Sequence, residues 1–469
     1  MAAVESVGVC APPWRGGFGR LWTAAVVSRF GDALRGAALP LLAASLTDRP
    51  LLIASVTACG YLPWIIFGLL GGAVADRVDQ RRAMWTVDAV RGLLVAAFAV
   101  AVALGHASIA LLIALAFALT TLQTLFDNAA TALLPALVDR DALGSANARL
   151  MTGQQIAGGL IGAPVVPLLI AAGAAVPFAA DAATFLVAAA LVASLRRAAP
   201  GRGPGPGPTG GIRGRGARGG IRRAGPAAGI RGPGPAAGIR GSGPAAGTRG
   251  PRPAGSTLRQ EIADGMRTLW HDRALRGLCV ATALCNIGMG ALIATLVILV
   301  TGWLDAGTAG YAAATTAYTV GGLAGGAVNR RILARLGPTR SVLLAGSVQI
   351  GALVVMGSVR SLAATVAALA VFGFMGMVWN VNTTTLMQQR APADMLGRVS
   401  SAYRTLAVAG APLGALLGGA VATAWGPNTP ALLTAAFFVL SVLALIPGRK
   451  RDVPVVAPDD DATTAHAPR

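Results

Sequence analysis

Asp32 lies about midway along an apolar stretch, with Arg29 three residues before it and Arg35 three after. If that stretch crosses a bilayer, a carboxylate there costs roughly 2.5–3.5 kcal/mol on insertion scales. An ionisable group kept at such a depth is a functional candidate. Burial opposes its charge while Arg29 or Arg35 supports it, so the group can exchange a proton as water access alternates. Two chemistries fit: a proton-coupling or cation-recognition site made of Asp32 and Arg29, or a static ion pair along one helix face, because residues 29, 32 and 35 recur at three-residue spacing.

The other intramembrane acids are Asp88, Asp127 and Asp181, all in the first half of the chain. Asp88 and Arg91 sit three apart and pair most simply with each other. Nothing in the sequence selects a partner for Asp181. Apolar segments of the second half carry no acidic residue, so any proton carriage falls to the first half. His106, His271 and His466 lie in loops or tails, and Cys10, Cys59, Cys279 and Cys285 show no zinc-like or redox spacing, which implies neither metal nor disulfide. No phosphate-binding glycine loop ending in Lys-Ser/Thr and no nucleophile with a plausible base is present, so the reading is no enzyme and no cofactor.

The elements that position these groups are membrane spans. The chain has 469 residues, 54% hydrophobic and 12% charged, with a mean hydropathy of +0.64, too apolar for a soluble protein of this size. Stretches long enough to cross the hydrocarbon core fall near 21–46, 51–74, 83–104, 108–135, 150–172, 176–195, 275–300, 309–329, 340–358, 362–388, 400–421 and 429–447. That predicts twelve transmembrane helices, six per half, in an all-α integral membrane protein. Two features repeat in order: Gly71-Gly72-Ala73-Val74 with Asp141-x-Leu143-Gly144, then Gly325-Gly326-Ala327-Val328 with Asp394-x-Leu396-Gly397. An even number of spans per half gives parallel repeats related by an axis along the membrane normal.

Arginines cluster in alternate loops, at Arg81 and Arg82, Arg140 and Arg149, Arg330, Arg331 and Arg335, and Arg390 and Arg398. By the positive-inside rule both termini are cytoplasmic, and no cleavable signal peptide precedes span 1. The expected organisation is a tail at 1–20, a six-helix bundle at 21–195, a cytoplasmic linker at 196–256, an amphipathic interfacial helix at 257–274, a second bundle at 275–447 and a tail at 448–469. The linker is Gly/Pro/Arg-rich, with the repeated units GPAAGIRGP from Gly225, GPAAGIRGS from Gly234 and GPAAGTRGP from Gly243. Such a tract cannot bury enough apolar surface to offset chain entropy. It reads as a disordered tether held near anionic lipid; nucleic acid is not expected as a partner, because no aromatics interleave its arginines.

Gly72-x-x-x-Asp76-Arg77-x-x-x-Arg81-Arg82, in the loop after span 2, resembles the signature of the major facilitator superfamily. Segments 133–150, 379–404 and 411–419 look like its macrolide-efflux and enterobactin-exporter branch. The resemblance implies the major facilitator fold and export of a drug-like or metabolite cargo driven by an ion gradient, in a bacterial-type inner membrane. It also implies a cytoplasmic gate of Gly72, Asp76, Arg77 and Arg81 with Asp127, where Asp127 contacts Arg81 or Arg77. Asp79 and Gln80 depart from the pattern, and span 4 lacks the arginine that many drug antiporters carry.

Span 5 contains Gly158, Gly162 and Pro164, similar to the glycine-proline motif of antiporters, which small-residue packing and helix bending also explain. Polar or amphipathic groups inside spans nominate Gln123, Gln154, Asn286, Trp379, Asn380 and Asn382 for the cavity wall. The expectation is a monomeric, proton-coupled exporter of amphiphilic small molecules working by alternating access. Its rivals are a dedicated exporter of one endogenous metabolite, such as a siderophore or antibiotic, and a non-transporting membrane anchor or regulator that recruits a partner through the Arg-Gly loop.

Overall fold

A computed structural model of the chain describes residues 17–67, 79–138, 142–195, 267, 270–392 and 396–446, with the side chains at 80, 127–137, 143, 144 and at several positions of 396–405 excluded. Among the described residues, twelve helices cross the fold. The first half holds α1 (Gly17–Leu46), α2 (Pro50–Phe67), α3 (Gln80–Ala103), α4 (Ile109–Leu137), α5 and α6 (Val176–Ala193). Helix α5 is composite: Leu143–Gln155, a π-helical stretch Ile156–Gly162, then Ala163–Ala172. The second half holds α7 (Arg273–Ile298, continued as a π-helical turn Leu299–Trp303), α8 and α9, α10 (Leu362–Arg390), α11 (Leu396–Trp425) and α12 (Thr429–Leu445). Helices α8 and α9 are the arms of one element, Gly307–Ser358, broken at Gly337. Gly337 takes φ +71°, which favours glycine, and Pro338 follows it. No strand occurs among the described residues.

All twelve expected spans are present, with shifted ends: α5 begins at Leu143 and α11 at Leu396, ahead of the apolar runs read from the sequence. Mixed polar and apolar residues at 143–149 and 396–404 continue those helices at one end, where hydropathy gives only a weak signal. Every 18-residue window of α1 holds at least three of Arg20, Arg29, Asp32 and Arg35, and α1 is not among the helices apolar enough to pass a hydropathy test. Its place in the bundle comes from packing. Of the expected surface helix at 257–274, only 267 and 270–274 are described.

The π-helical stretch has a local cause. Pro164 has no N–H for the Leu160 carbonyl, so the regular i to i−4 ladder fails there and wider spacing precedes it. Helix pairs in the second half meet backbone to backbone. A Cβ on Gly414 would lie 2.6 Å from the Ile287 carbonyl carbon, between α11 and α7, and one on Gly325 would lie 2.9 Å from that of Phe374, between α8 and α10. Small residues let helices approach this closely where no hydrophobic force draws them together.

The two halves touch through α2 with α11 and α7, α5 with α8, and α1 with α7. Ala54, Ala58, Ala294 and Ala415 form a small core on this seam. These contacts lie toward the end that bears the short connections 47–49, 304–306 and 426–428.

Candidate functional site

Helices α1, α3 and α6 carry a chain of alternating charges through the core of the first half. Arg91 Nη1 lies 3.3 Å from Asp88 Oδ1, and Arg91 Nη2 lies 2.9 Å from Asp32 Oδ1. Arg35 Nη2 meets the same Asp32 oxygen at 2.5 Å, while Arg35 Nε reaches Asp181 Oδ2 at 2.9 Å. The order is Asp88, Arg91, Asp32, Arg35, Asp181. Asp88 and Asp181 are fully buried and Arg91 is 1% exposed.

Local packing makes the chain possible. Gly31 brings α1 against Asp181 and Thr184 of α6, where any side chain would collide. Phe185, one turn along α6, places its ring centroid 4.0 Å from the Arg91 guanidinium carbon, so an aromatic face covers a charge withdrawn from water. Not every atom is satisfied: Asp88 Oδ2, Asp181 Oδ1 and Arg91 Nε are buried without a hydrogen-bond partner. Three carboxylates share two arginines in this chain, and the open acceptors sit at its two ends.

The expected pairs of Asp88 with Arg91 and of Asp32 with Arg35 are both present. The pairs that join helices, Arg91 to Asp32 and Arg35 to Asp181, were not in the sequence reading. Arg29 extends exposed along α5 and makes no direct ion pair among the described residues, while its charge, as expected, still supports the Asp32 carboxylate.

Gly72, Asp76 and Arg77 of the loop motif lie outside the described residues, as does the side chain of Asp127. Arg81 is described, and its guanidinium donates to the carbonyls of Val192 and Ala193 at the end of α6, where a cation also meets the negative end of the helix dipole. Arg20 donates to the neighbouring Ser194 carbonyl at 2.8 Å.

The six residues nominated for a cavity wall separate into two groups. Gln123, Gln154 and Asn286 are half-buried and Asn380 is exposed. Asn382 is fully buried, donating to Asn329 Oδ1 across α10 and α8 at 2.8 Å, and Trp379 packs on Phe438 with ring centroids 6.5 Å apart. Asn329 was missed, although the rule that nominated Asn382 applies to it equally. Gly158 and Gly162 of α5 abut Arg29 and Ala33 of α1, and Pro164 follows the π-helical stretch. A cavity of ≈ 50 Å³ between α7, α9, α10 and α12, lined by Arg273, Thr339, Val342, Leu386, Arg390 and Leu445 among others, contains none of the nominated residues. No cluster suited to a metal ion occurs among the described residues.

The Major Facilitator Superfamily family model matches residues 21–415. The chain belongs to that superfamily. Similar solved structures include a mutant form of the nucleoside transporter NupG, at 10% identity and a TM-score of 0.69, covering 92% of this chain and 100% of that one. A bacterial homologue of the iron transporter ferroportin in an inward-facing state gives 12% identity and 0.68, covering 92% and 98%. A bacterial homologue of the human lysosomal transporter Spinster, inward-facing and unoccupied, gives 12% and 0.61, covering 92% and 95%. At these identities the likeness establishes the fold, twelve helices in two six-helix bundles. A search of curated protein sequences finds no match.

Proposed function

We propose that this transporter exports amphiphilic small molecules by alternating access, in exchange for protons taken up by the carboxylates of the first half. The observation that carries the reading is the buried chain from Asp88 to Asp181, which holds more carboxylates than arginines and leaves one acceptor open at each end. A proton relieves such an imbalance, and its release restores it. The second half supplies shape and apolar contact, since its helices have no acidic residue. A proton moving down the membrane potential contributes about 2.3 kcal/mol per 100 mV, which supports a modest cargo gradient. The arginine-bearing loops orient both termini toward the cytoplasm, which makes export the movement from that side.

The test is efflux of a fluorescent amphiphile and a macrolide panel from an efflux-deficient bacterial host. Wild type and Asp32→Asn, matched for membrane insertion, are compared with and without an uncoupler. The expected result is wild-type efflux that collapses with the uncoupler and is lost in Asp32→Asn. If an inserted wild type moves none of these compounds, broad export is wrong and a dedicated metabolite exporter takes its place. If Asp32→Asn exports at wild-type rate, the proton is not carried on Asp32.

A further inference from the structure

The cavity between α7, α9, α10 and α12 lies outside the groups assigned to transport, yet its walls carry a consistent chemistry. Arg273 opens α7, Pro338 and Thr339 open α9 after the break at Gly337, Arg390 closes α10 and Leu445 closes α12. Four helix ends therefore meet at one face of the second bundle, opposite the connections 304–306 and 426–428. Arg273, Arg390 and Thr339 line the cavity there, and about one turn further in its wall is apolar, with Leu278, Val342 and Leu386.

The two guanidiniums border this space without an anion. Among the described residues neither makes an ion pair or a side-chain hydrogen bond, and no acidic side chain lines the cavity. Asp272, the acid next to Arg273, commits Oδ1 to capping α7, accepting from the N–H groups of Ala274 and Leu275 at 2.7 and 3.0 Å. Arg273 also stands at the positive end of the α7 dipole, and the first turn of α9 presents a second positive end. Negative charge is what the site lacks. Trp270, exposed just ahead of Arg273, accepts at its carbonyl from Arg276 Nη1 at 3.2 Å and marks the depth, since tryptophans collect at the level of lipid headgroups.

The cavity measures ≈ 50 Å³. That is room for a few waters at roughly 10–15 Å³ each, and far below the roughly 300–1,000 Å³ of a site for a drug-sized ligand. It admits a head group and leaves any tail outside, where the same helices carry exposed apolar side chains, Leu344 on α9 and Leu440, Leu443 and Ile446 at the end of α12. We propose that this cavity is a binding site for an anionic phospholipid, its phosphate held between Arg273 and Arg390 and its acyl chains lying along α9 and α12. Basic pockets between membrane helices suit such headgroups, and the planar fork of arginine matches phosphate oxygens with parallel hydrogen bonds. A zwitterionic headgroup fits less well, because its ammonium meets no carboxylate among the lining residues. The site stands apart from the transport reading, since lipid occupancy requires neither cargo nor proton.

Native mass spectrometry of the purified full-length chain in detergent, titrated with phosphatidylglycerol or phosphatidylcholine, tests this. Wild type binds a first phosphatidylglycerol in preference to phosphatidylcholine. Arg273→Gln and Arg390→Gln each weaken that first binding about tenfold, the worth of one charge-assisted hydrogen bond, and leave phosphatidylcholine unaffected. Arg340→Gln, exposed at the same end but outside the lining, does neither. Ala274→Leu, which keeps every charge and fills the cavity, abolishes the preference, so the result does not hang on the arginine variants folding. No preference in wild type, a preference that survives Ala274→Leu, or an equal loss in Arg340→Gln overturns the proposal. Inorganic phosphate binding as tightly as phosphatidylglycerol assigns the seat to a free anion and also overturns it. So does phosphatidylglycerol binding that appears only after removal of residues 448–469, which carry Asp459, Asp460 and Asp461, because the acidic tail is then the occupant.

Discussion

Replacing Arg91 by Met tests the ion chain where it is most exposed to refutation. The guanidinium bridges Asp32 at 2.9 Å and Asp88 at 3.3 Å, is 1% exposed, and stacks on Phe185. Methionine preserves most of the volume and removes the charge. Breaking a buried pair by deleting one partner costs about 3–5 kcal/mol, because the abandoned charge stays buried. Asp88 loses its only ion-pair partner among the described residues, whereas Asp32 keeps Arg35. The penalty therefore falls chiefly on Asp88. At about 2–4 °C per kcal/mol for a unit the size of one bundle, thermal unfolding of the purified protein, followed by tryptophan fluorescence, shifts down by roughly 6–20 °C. The double variant Asp88→Asn with Arg91→Met recovers part of that loss, since the orphaned carboxylate is gone, with a coupling of about 0.5–3 kcal/mol. Arg91→Lys rescues little, because one compact ammonium does not reproduce the separate Nη1 and Nη2 positions that reach Asp88 and Asp32. A shift of less than about 2 °C for Arg91→Met, or strictly additive single variants, refutes the buried chain as described.

Three further substitutions separate packing from transport. Asn382→Ala removes the bond to Asn329 between α10 and α8; it costs about 0.6–1.7 kcal/mol, the range of interhelical bonds in membranes, and leaves the KM for cargo unchanged, so an altered KM with intact stability would place Asn382 on the cavity wall. Gly414→Val drives a side chain into the Ile287 backbone of α7 and lowers stability by about 3 kcal/mol or more. Gly351→Ala, with nothing within 4 Å, is neutral or gains up to about 1 kcal/mol; equal behaviour of the two in an unfolding assay would mean that α7 and α11 are not in backbone contact.

What the sequence could disclose depended on range. Twelve spans and two repeats are properties of segments about 20 residues long, and hydropathy reads them directly. Pairs three residues apart, Asp88 with Arg91 and Asp32 with Arg35, follow from helix geometry. The link from Arg35 to Asp181 crosses 146 positions; it needs the notch at Gly31 to bring α6 close, and no local pattern encodes which glycine serves as a notch. Arg81 bonds the carbonyls that end α6, a partner its motif did not announce; the Asp127 side chain expected near it lies outside the described residues. Charge complementarity between side chains is visible in a sequence; the negative end of a helix is visible only once the helix has been placed.

The two halves are held by different means, and this bears on how a proton could be felt. In the second half, α7 with α11 and α8 with α10 meet backbone to backbone at Gly414 and Gly325, and the buried polar contacts are between neutral groups, Asn382 with Asn329 and Thr434 with the Gly288 carbonyl. None of these changes with protonation. In the first half, α1, α3 and α6 are joined through carboxylates, so neutralising one of them weakens a link between helices. On the proton-coupled reading, the first half is the element whose packing responds to the ion, and the second is the stiff wall against which it moves.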